Sequence, residues 1–165
     1  MRDIVVIAHN MRSTHNVGSL LRTADGLGVR NVYFTGYTPH PPHSADSRLP
    51  HETAKLARQI NKTALGAEET VTWQYGPDVF AVIQNLRDQG YKIAALEQTA
   101  TSTSLPEFQP PKQIAIILGR EVEGLEPEVM DRCDTALEIP MFGQKESFNV
   151  VQAAAMALYH CRFAP

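Results

Sequence analysis

The chain has 165 residues, of which 43% are hydrophobic and 20% charged, and its formal net charge is −3. This composition predicts one globular domain over residues 1–165 and excludes wholesale disorder. No apolar run approaches the roughly 18 residues of a membrane span, and the 2 cysteines form no C-x-x-C pair. We therefore expect a soluble, reduced, cytoplasmic protein with no membrane partner.

Apolar runs alternate with helical patterns along the first part of the chain. Asn16 is a good N-cap for an amphipathic helix over residues 17–27, and Gly28 is a plausible stop for it. Residues 36–50 are rich in Pro, His and Ser and predict a long loop, of a length that is often functional. The strands predicted here span residues 4–8, 31–35 and 70–73, and a short helix spans residues 52–61.

The same alternation continues to the end of the chain. A helix over residues 77–89 is indicated by its initial proline, its apolar spacing and the glycine that follows it. Residues 97–111 form a second polar loop. Strands separated by helical crossovers predict an α/β fold with a mostly parallel sheet and helices on both faces. The remaining strands span residues 92–96, 114–118 and 135–139, and the remaining helices span residues 127–132 and 147–162.

Charge is distributed unevenly over this pattern. Residues 1–62 contain eight Lys and Arg against four Asp and Glu, a net charge of +4, whereas residues 63–165 contain seven against fourteen, a net charge of −7. A basic half can face phosphate groups while the whole molecule stays soluble. Chance scatter explains the asymmetry equally well, so charge alone leaves both interpretations open.

Familiar nucleotide-binding and hydrolase motifs are absent. The first strand is followed by HNMRSTHN, with no G-x-G-x-x-G, and the chain has neither a P-loop nor a G-x-S-x-G nucleophile motif. A dinucleotide-dependent oxidoreductase is therefore disfavoured. His40 and His43 could form half of a metal site, but they lack Cys or acidic partners in a ligand pattern. Solvated loop histidines are favoured, and no metal is predicted.

Three polar segments follow predicted strands, at the edge where open α/β sheets place their ligands. In the first, over residues 13–29, Asn16 and Arg22 stand six positions apart around Gly18. This glycine would let a backbone or a phosphate approach the start of the helix. A helix cap and a surface arginine would explain the same residues.

The second segment, over residues 114–125, runs from a buried strand into Gly119, Glu121 and Gly124. Glycines just after a buried strand allow a ligand to approach backbone amides closely. A tight turn with solvated acids is the alternative interpretation.

The third segment, over residues 138–159, ends a strand and then opens a helix of small residues at Ser147 and Asn149. A capped helix packed on the sheet explains the alanines of this segment. It explains Pro140, Gly143 and Asn149 poorly, so a ligand-binding loop is favoured here.

Together the three segments resemble the TrmH-type (SpoU) family of RNA 2′-O-ribose methyltransferases, in the SPOUT class. The resemblance covers nearly the whole chain, and the motifs stand in the family's order and spacing. They are N-x-G-x-x-x-R at Asn16, Gly18 and Arg22; G-x-E-x-x-G-L at Gly119, Glu121, Gly124 and Leu125; and I-P-M-x-G-x-x-x-S-x-N-V at Ile139, Pro140, Met141, Gly143, Ser147, Asn149 and Val150.

The resemblance implies a fold, a cofactor and partners. The chain from about residue 114 onward would thread through a loop as a deep C-terminal trefoil knot, with S-adenosylmethionine bound within it. The protein would be a homodimer with composite sites and would act on a ribose 2′-hydroxyl of tRNA or rRNA. It looks like a bare catalytic domain without a separate RNA-binding extension. The alternative is a non-catalytic RNA-binding module that kept the fold, and the intact polar motif residues argue against it.

The resemblance also implies roles for individual residues. Arg22 would act at the ribose hydroxyl, and Asn16 and Asn149 would orient Arg22 or the ribose. Glu121 would hold an arginine or order the second loop, and Asn16 and Arg22 would contact RNA. The cofactor would be held by groups at Leu96, Gly119, Ile139, Met141 and Ser147.

Two mechanisms are open for Arg22. An arginine side chain is effectively always protonated, so a free Arg22 is an awkward base. In the favoured version, Arg22 holds a phosphate and stabilises the developing alkoxide, while the phosphate or a water molecule takes the proton. In the other version, a strongly perturbed Arg22 is itself the base.

Overall fold

The computed structural model describes residues 1–44 and 46–165 and is built on one seven-stranded sheet. The strands lie in the order β3-β2-β1-β6-β4-β7-β5, and all neighbours are parallel, which confirms the predicted sheet. The strands are β1 (Asp3–His9), β2 (Asn31–Thr35), β3 (Trp73–Tyr75), β4 (Lys92–Leu96), β5 (Thr103–Ser104), β6 (Gln113–Leu118) and β7 (Thr135–Glu138). The helices are α1 (Thr14–Gly26), α2 (Pro50–Ala64), α3 (Ala67–Thr70), α4 (Val79–Asp88), α5 (Pro127–Met130) and α6 (Val150–Phe163).

The central strands are apolar along their length because helices cover both faces of the sheet. β1 and β6 pair from Asp3 with Gln113 to Ala8 with Leu118, and residues 4–8 and 114–118 are buried. One apolar layer contains side chains of α1, α2 and α6, and the other contains side chains of α4 and α5, so the predicted helices on both faces are confirmed. Across the described residues, no helix is long and apolar enough to cross a membrane.

The start of α1 differs from the sequence prediction. Ser13, not Asn16, is the N-cap, and its hydroxyl accepts a hydrogen bond from the Asn16 amide at 3.2 Å. Serine and asparagine are equally good caps, so the pattern did not distinguish them. Because the helix begins earlier, Asn16 lies in its first turn and its side-chain amide is free to make a long-range contact.

Two further boundaries move for local reasons. α2 is longer than the predicted helix at residues 52–61, because Pro50 is well suited to the first helical turn. β3 lies at Trp73–Tyr75 rather than at residues 70–73, because residues just before it form the short helix α3. The predicted loop at residues 97–111 contains β5 and the 3-10 turn Leu105–Glu107.

Gly18 brings two helices together rather than admitting a ligand. A Cβ at this position would collide with the Thr63 hydroxyl and the Ile60 carbonyl oxygen, and it would lie 2.9 Å from the Ala64 nitrogen, all on α2. Of the two groups that the sequence left open at Gly18, a backbone or a phosphate, the approach of a backbone is confirmed, and this backbone belongs to α2. The close crossing instead places the exposed face of α1 beside Lys62.

Candidate active site

A cleft of about 320 Å³ opens where β4, β6 and β7 end. The volume is in the range of small-molecule sites. Parallel strands bring their carboxyl ends to one edge, so loops that are distant in the sequence meet there. The cleft is lined by all five residues predicted to hold a cofactor, which are Leu96, Gly119, Ile139, Met141 and Ser147.

The walls of the cleft combine apolar and acidic side chains with one arginine, Arg120, so the acidic residues outnumber it. Leu137, Val150 and Ala153 extend the apolar wall. Such a surface suits an organic cation that carries an apolar portion, because the carboxylates favour positive charge and the apolar wall favours ring or chain atoms. Glutamates at five positions contribute the acidic character, namely Glu97, Glu121, Glu123, Glu138 and Glu146.

Of these five glutamates the sequence singled out only Glu121, and two of the other four lie at positions that carried a usable signal. Glu97 follows the last residue of β4, and Glu138 is the last residue of β7. Both therefore lie at the strand ends where ligands bind in such sheets. Glu138 accepts a hydrogen bond from the Ser102 hydroxyl at 2.7 Å, which attaches the loop after β4 to β7.

Gly119 lets the loop after β6 fold back on itself. A Cβ on Gly119 would lie 2.6 Å from the Gly124 carbonyl carbon and 2.7 Å from the Leu125 nitrogen. Arg120 and Gly124 exchange two backbone hydrogen bonds, at 3.3 and 3.2 Å, which close the loop. The space beside Gly119 is thus filled by the loop's own backbone, which confirms the tight turn that the sequence left open as one of two interpretations.

The folded loop is also attached to β4. Gly124 has a φ of +70°, a conformation that side chains with a Cβ rarely adopt. Its lack of a side chain leaves room for the Glu97 carboxylate, which accepts a hydrogen bond from the Leu125 amide at 3.1 Å. This contact fixes one wall of the cleft against another.

Glu121 joins this loop to the start of α1. Its carboxylate accepts hydrogen bonds from the backbone amides of Arg12, at 3.1 and 3.2 Å, and of Ser13, at 3.0 Å. It also accepts a hydrogen bond from the Asn16 side-chain amide at 3.1 Å. Glu121 therefore binds the backbone amide of Arg12 rather than an arginine side chain, and it orders both the loop after β6 and the start of α1.

Asn149 extends the same network to α6. Its side-chain amide donates to the Asn16 side-chain oxygen at 3.3 Å, and its own oxygen caps α6 by accepting from the Val151 amide at 2.9 Å. Asn16, Glu121 and Asn149 thus form one hydrogen-bonded network, which we call the asparagine–glutamate network. It connects the three segments selected from the sequence.

The network shifts the ionisation of Glu121. Desolvation alone would raise the pKa of this carboxyl, but the hydrogen bonds from Ser13, Arg12 and Asn16 outweigh it, and the pKa is lowered below its ordinary value of 4.5. Glu121 is therefore ionised at neutral pH. Its charge also complements the positive end of the α1 dipole.

Replacing Glu121 with glutamine is expected to destabilise the fold by about 1–2 kcal/mol at pH 7, because an amide cannot accept from all three donors. A carboxyl with a lowered pKa stabilises the folded state above its unfolded pKa. This contribution is lost as pH falls through the folded value, so the difference should begin to shrink near pH 4.5 and vanish only below the folded pKa, which is lower. Urea unfolding at pH 7 and at acidic pH measures both effects.

Glu123→Gln is the matched control, because Glu123 forms an exposed ion pair with Arg12. Equal losses of stability for the two variants would contradict the role assigned to Glu121.

Arg22 lies apart from this network. It is exposed on α1, where it borders a shallow depression with Ser19, Thr23, Lys62 and Thr63. Asn16 contacts both Asn149 and Glu121, and no hydrogen bond of the described residues joins either asparagine to Arg22, so of the two implied roles the orientation of the ribose stays a prediction. The depression combines two cationic side chains with three hydroxyls, which suits a phosphate group.

Arg120 lines the cleft, and its guanidinium forms an ion pair with a polar cluster of Glu126, Asn10 and His9. Its guanidinium lies 3.6 Å from Glu126, whose carboxylate also accepts a hydrogen bond from the Asn10 side chain at 2.9 Å. His9 lies 3.4 Å from Glu126. Desolvation lowers the pKa of His9 and outweighs the opposing effect of Glu126, so the imidazole is neutral at pH 7.

Fold and site define an α/β protein with a small-molecule cleft at the carboxyl ends of parallel strands and a separate cationic depression on the exposed face of α1. The chain belongs to the SpoU rRNA methylase family, whose model matches residues 3–159. This confirms the family resemblance found in the sequence.

Individual relatives agree with this assignment. The chain is 24% identical over 161 residues to the tRNA (guanosine(18)-2′-O)-methyltransferase of Aquifex aeolicus (strain VF5). The aligned region covers 98% of this chain and 69% of that protein. It is 29% identical over 155 residues to a protein assigned to the TrmH family of tRNA/rRNA methyltransferases from Staphylococcus aureus (strain COL), covering 94% of this chain but only 56% of the relative. The crystal structure of an rRNA methyltransferase from Sinorhizobium meliloti with AdoMet bound shares the fold, with a TM-score of 0.79, 20% identity and coverage of 97% of this chain and 56% of that one.

Proposed function

We propose that this protein transfers a methyl group from S-adenosylmethionine to a ribose 2′-hydroxyl of tRNA or rRNA, in the cytoplasm. The observation that carries the proposal is the gathering of five cofactor candidates from three distant segments in one cleft. The family and the named activities of the relatives support the same reaction. A cofactor-binding solved structure with this fold supports the choice of cofactor.

The cleft fits this cofactor chemically. S-adenosylmethionine supplies a methyl group activated by a positively charged sulfonium. Leu96, Ile139 and Met141 offer apolar contact, and Ser147 offers a hydroxyl. The glutamates of the cleft favour a cation over an anionic dinucleotide.

Arg22 is the residue that we place at the ribose hydroxyl. A planar guanidinium can hold a phosphate oxygen and, at the same time, donate to an oxygen on which negative charge develops. Lys62 in the same depression adds a second positive charge for the phosphate. The proton then passes to the phosphate or to water, which is the favoured mechanism; direct proton abstraction by Arg22 is the alternative.

We further propose a homodimer in which a second copy of the chain completes the site. Arg22 does not line the cleft of its own chain, so the two substrates would meet only across an interface. α6 carries an exposed apolar surface suited to such a contact. Tyr159 and Phe163 are 60% and 63% exposed, and their ring centroids are 4.6 Å apart.

The wild-type protein is expected to sediment as a dimer at micromolar concentration. Tyr159→Asp and Phe163→Asp should shift it towards monomer, because a buried unpaired charge opposes association. Phe80→Ala, on the opposite face of the sheet, is the control and should remain dimeric. A monomeric wild-type protein would remove the dimer from the proposal.

The C-terminal trefoil knot is also part of the proposal. α6 packs against β1, β4 and β6 and also against the 3-10 turn Leu105–Glu107, which belongs to the connection between β4 and β6. The same connection contacts α6 through the Phe108 carbonyl oxygen, 2.7 Å from the His160 ring. These contacts on α6 are those expected if the end of the chain passes through that connection.

Calorimetry with S-adenosylmethionine, S-adenosylhomocysteine and NAD tests the cofactor assignment. We expect heat with the first two and none with NAD, and no heat with either adenosyl compound, with or without RNA, would refute it. Transfer of a labelled methyl group to total tRNA and rRNA, followed by mass spectrometry of the nucleosides, tests the reaction. RNA binding without cofactor binding would favour the non-catalytic RNA-binding module instead.

A further inference from the structure

An aromatic cluster lies where β2 and β3 end, outside the cleft. His40 is buried and stacks on Tyr75, with ring centroids 4.3 Å apart and an interplanar angle of 25°. His43 lies 5.5 Å from His40, and Trp73 lies 5.9 Å from His40. The two histidines considered from the sequence as half of a metal site thus belong to a stack of rings. In residues 1–44 and 46–165, no group of three or more His, Cys, Asp or Glu is placed to hold a metal ion.

Two tyrosines of this region are exposed, and hydrogen bonds hold the side chain of one and the backbone of the other. Tyr75 is 41% exposed although His40 stacks on it, and its hydroxyl donates to the Gly36 carbonyl oxygen at 3.1 Å. Tyr37 follows Gly36 directly, is 53% exposed, and donates its backbone N–H to the Asn10 side chain at 3.1 Å. The stack and the hydrogen bond therefore fix the Tyr75 ring, and the contact with Gly36 brings this ring beside the backbone that carries Tyr37.

This surface is continuous with the candidate active site. Asn10, which accepts the hydrogen bond from the Tyr37 backbone, precedes Arg12 by two residues, and Tyr37 together with the Glu123 carboxylate raises the pKa of the Arg12 guanidinium. The side chain of Arg12 is 61% exposed, and its backbone amide donates to Glu121 in the asparagine–glutamate network. Exposed rings, an exposed cation and the network thus follow one another along the carboxyl edge of the sheet.

We propose that Tyr37 and Tyr75 form a stacking platform for unpaired bases of the RNA substrate, with Arg12 contacting the adjoining phosphate. Aromatic side chains stack on any base because every base has a π face, and rings that are already ordered lose little entropy on binding. The base at the platform would be a neighbour of the methylated nucleotide. The inference rests on the proposed RNA methyltransferase function and adds that the target lies in a single-stranded segment.

Trp73 provides a direct readout, because it is the only tryptophan of the chain and lies in the cluster. A single-stranded 12-nucleotide adenosine RNA, added to the full-length protein without cofactor, is expected to change Trp73 fluorescence on binding. Tyr37→Ala and Tyr75→Ala should each weaken this binding by about tenfold, within the range for loss of one base stack. Tyr37→Phe and Tyr75→Phe keep the ring and should bind nearly as the wild type does.

The controls separate stacking from charge and from misfolding. An abasic oligomer with the same sugar–phosphate backbone and a 12-base-pair RNA duplex should both bind more weakly than the adenosine oligomer. Phe80→Ala removes a ring of matched exposure, 42%, and should leave binding unchanged. Affinity for S-adenosylmethionine, measured on every variant, reports whether the fold is intact.

The outcomes for the platform and for the enzyme are distinguishable. Equal binding of the abasic oligomer, or unchanged binding in both alanine variants, would overturn the platform even if methyl transfer occurs. If Tyr75→Ala fails to fold, Tyr37→Ala and the two phenylalanine variants still decide the question. Ring-dependent binding of the adenosine oligomer without methyl transfer to any RNA would support the platform and refute the enzyme.

Discussion

Replacing Arg22 with alanine is expected to reduce methyl transfer by about 100–1000-fold, as expected for the loss of a donor aimed at a developing oxyanion. Affinity for S-adenosylmethionine should stay nearly unchanged, because Arg22 lies on the exposed face of α1 and does not line the cleft. Single-turnover methylation and a cofactor titration on the same protein measure the two quantities independently.

Lysine should not rescue the variant. Arg22→Lys keeps the positive charge but loses the planar fork that can hold a phosphate and face the 2′-oxygen together. Arg58→Ala is the matched control, because Arg58 is an exposed arginine on the neighbouring helix α2. Near-normal turnover of Arg22→Lys would show that the arginine fork is not needed for methyl transfer. A large loss of cofactor affinity would show that Arg22 contributes to cofactor binding, contrary to its assignment to the RNA.

The strands were accessible to sequence reasoning because they follow from simple periodicity, and the residues of the cleft were accessible because their motifs resemble a known family. A buried parallel strand is a continuous apolar run, so the predicted strands at residues 31–35 and 92–96 agree with β2 and β4. Once the strands are placed, their carboxyl ends identify the ligand loops. The five cofactor candidates that the resemblance implied line one cleft at these strand ends.

Other features depend on contacts between distant parts of the chain. Nothing local in the sequence shows that Gly18 faces the backbone of α2, or that Gly119 faces Gly124. The glycines were correctly selected as positions of close approach, but the approaching group is the protein itself. The stack of His40 on Tyr75 is of the same kind, because it joins a loop to a strand 35 positions away.

The asparagine–glutamate network gives these features a common consequence. Glu121 attaches the loop of the cleft to the amides that begin α1, and Arg22 lies further along the same helix. The loop that faces the proposed cofactor and the helix that faces the proposed RNA are thus held in a fixed relation. A change in the loop should consequently act first on the cofactor, whereas a change at Arg22 should act only on the transfer step.

Gly119→Ala tests the cofactor side of this division. The new Cβ would lie 2.6–2.8 Å from atoms of the Gly124 and Leu125 backbone, which cannot rotate away as a side chain could. The loop must therefore shift, which displaces Glu121 from α1 and Leu125 from Glu97. We expect affinity for S-adenosylmethionine to fall by about 10–100-fold, the equivalent of about 1.4–2.8 kcal/mol.

Gly26→Ala is the control for that experiment, because a Cβ on Gly26 meets no atom within 4 Å and alanine favours a helix. Its cofactor affinity should equal that of the wild type, and its thermal stability should be equal or slightly higher. Calorimetric titration of both variants, with thermal denaturation to establish that Gly119→Ala is folded, gives the comparison. The collision with backbone atoms forces the loop after β6 to move in the Gly119→Ala protein. Wild-type cofactor affinity in a folded Gly119→Ala protein would therefore mean that this loop does not shape the cofactor site.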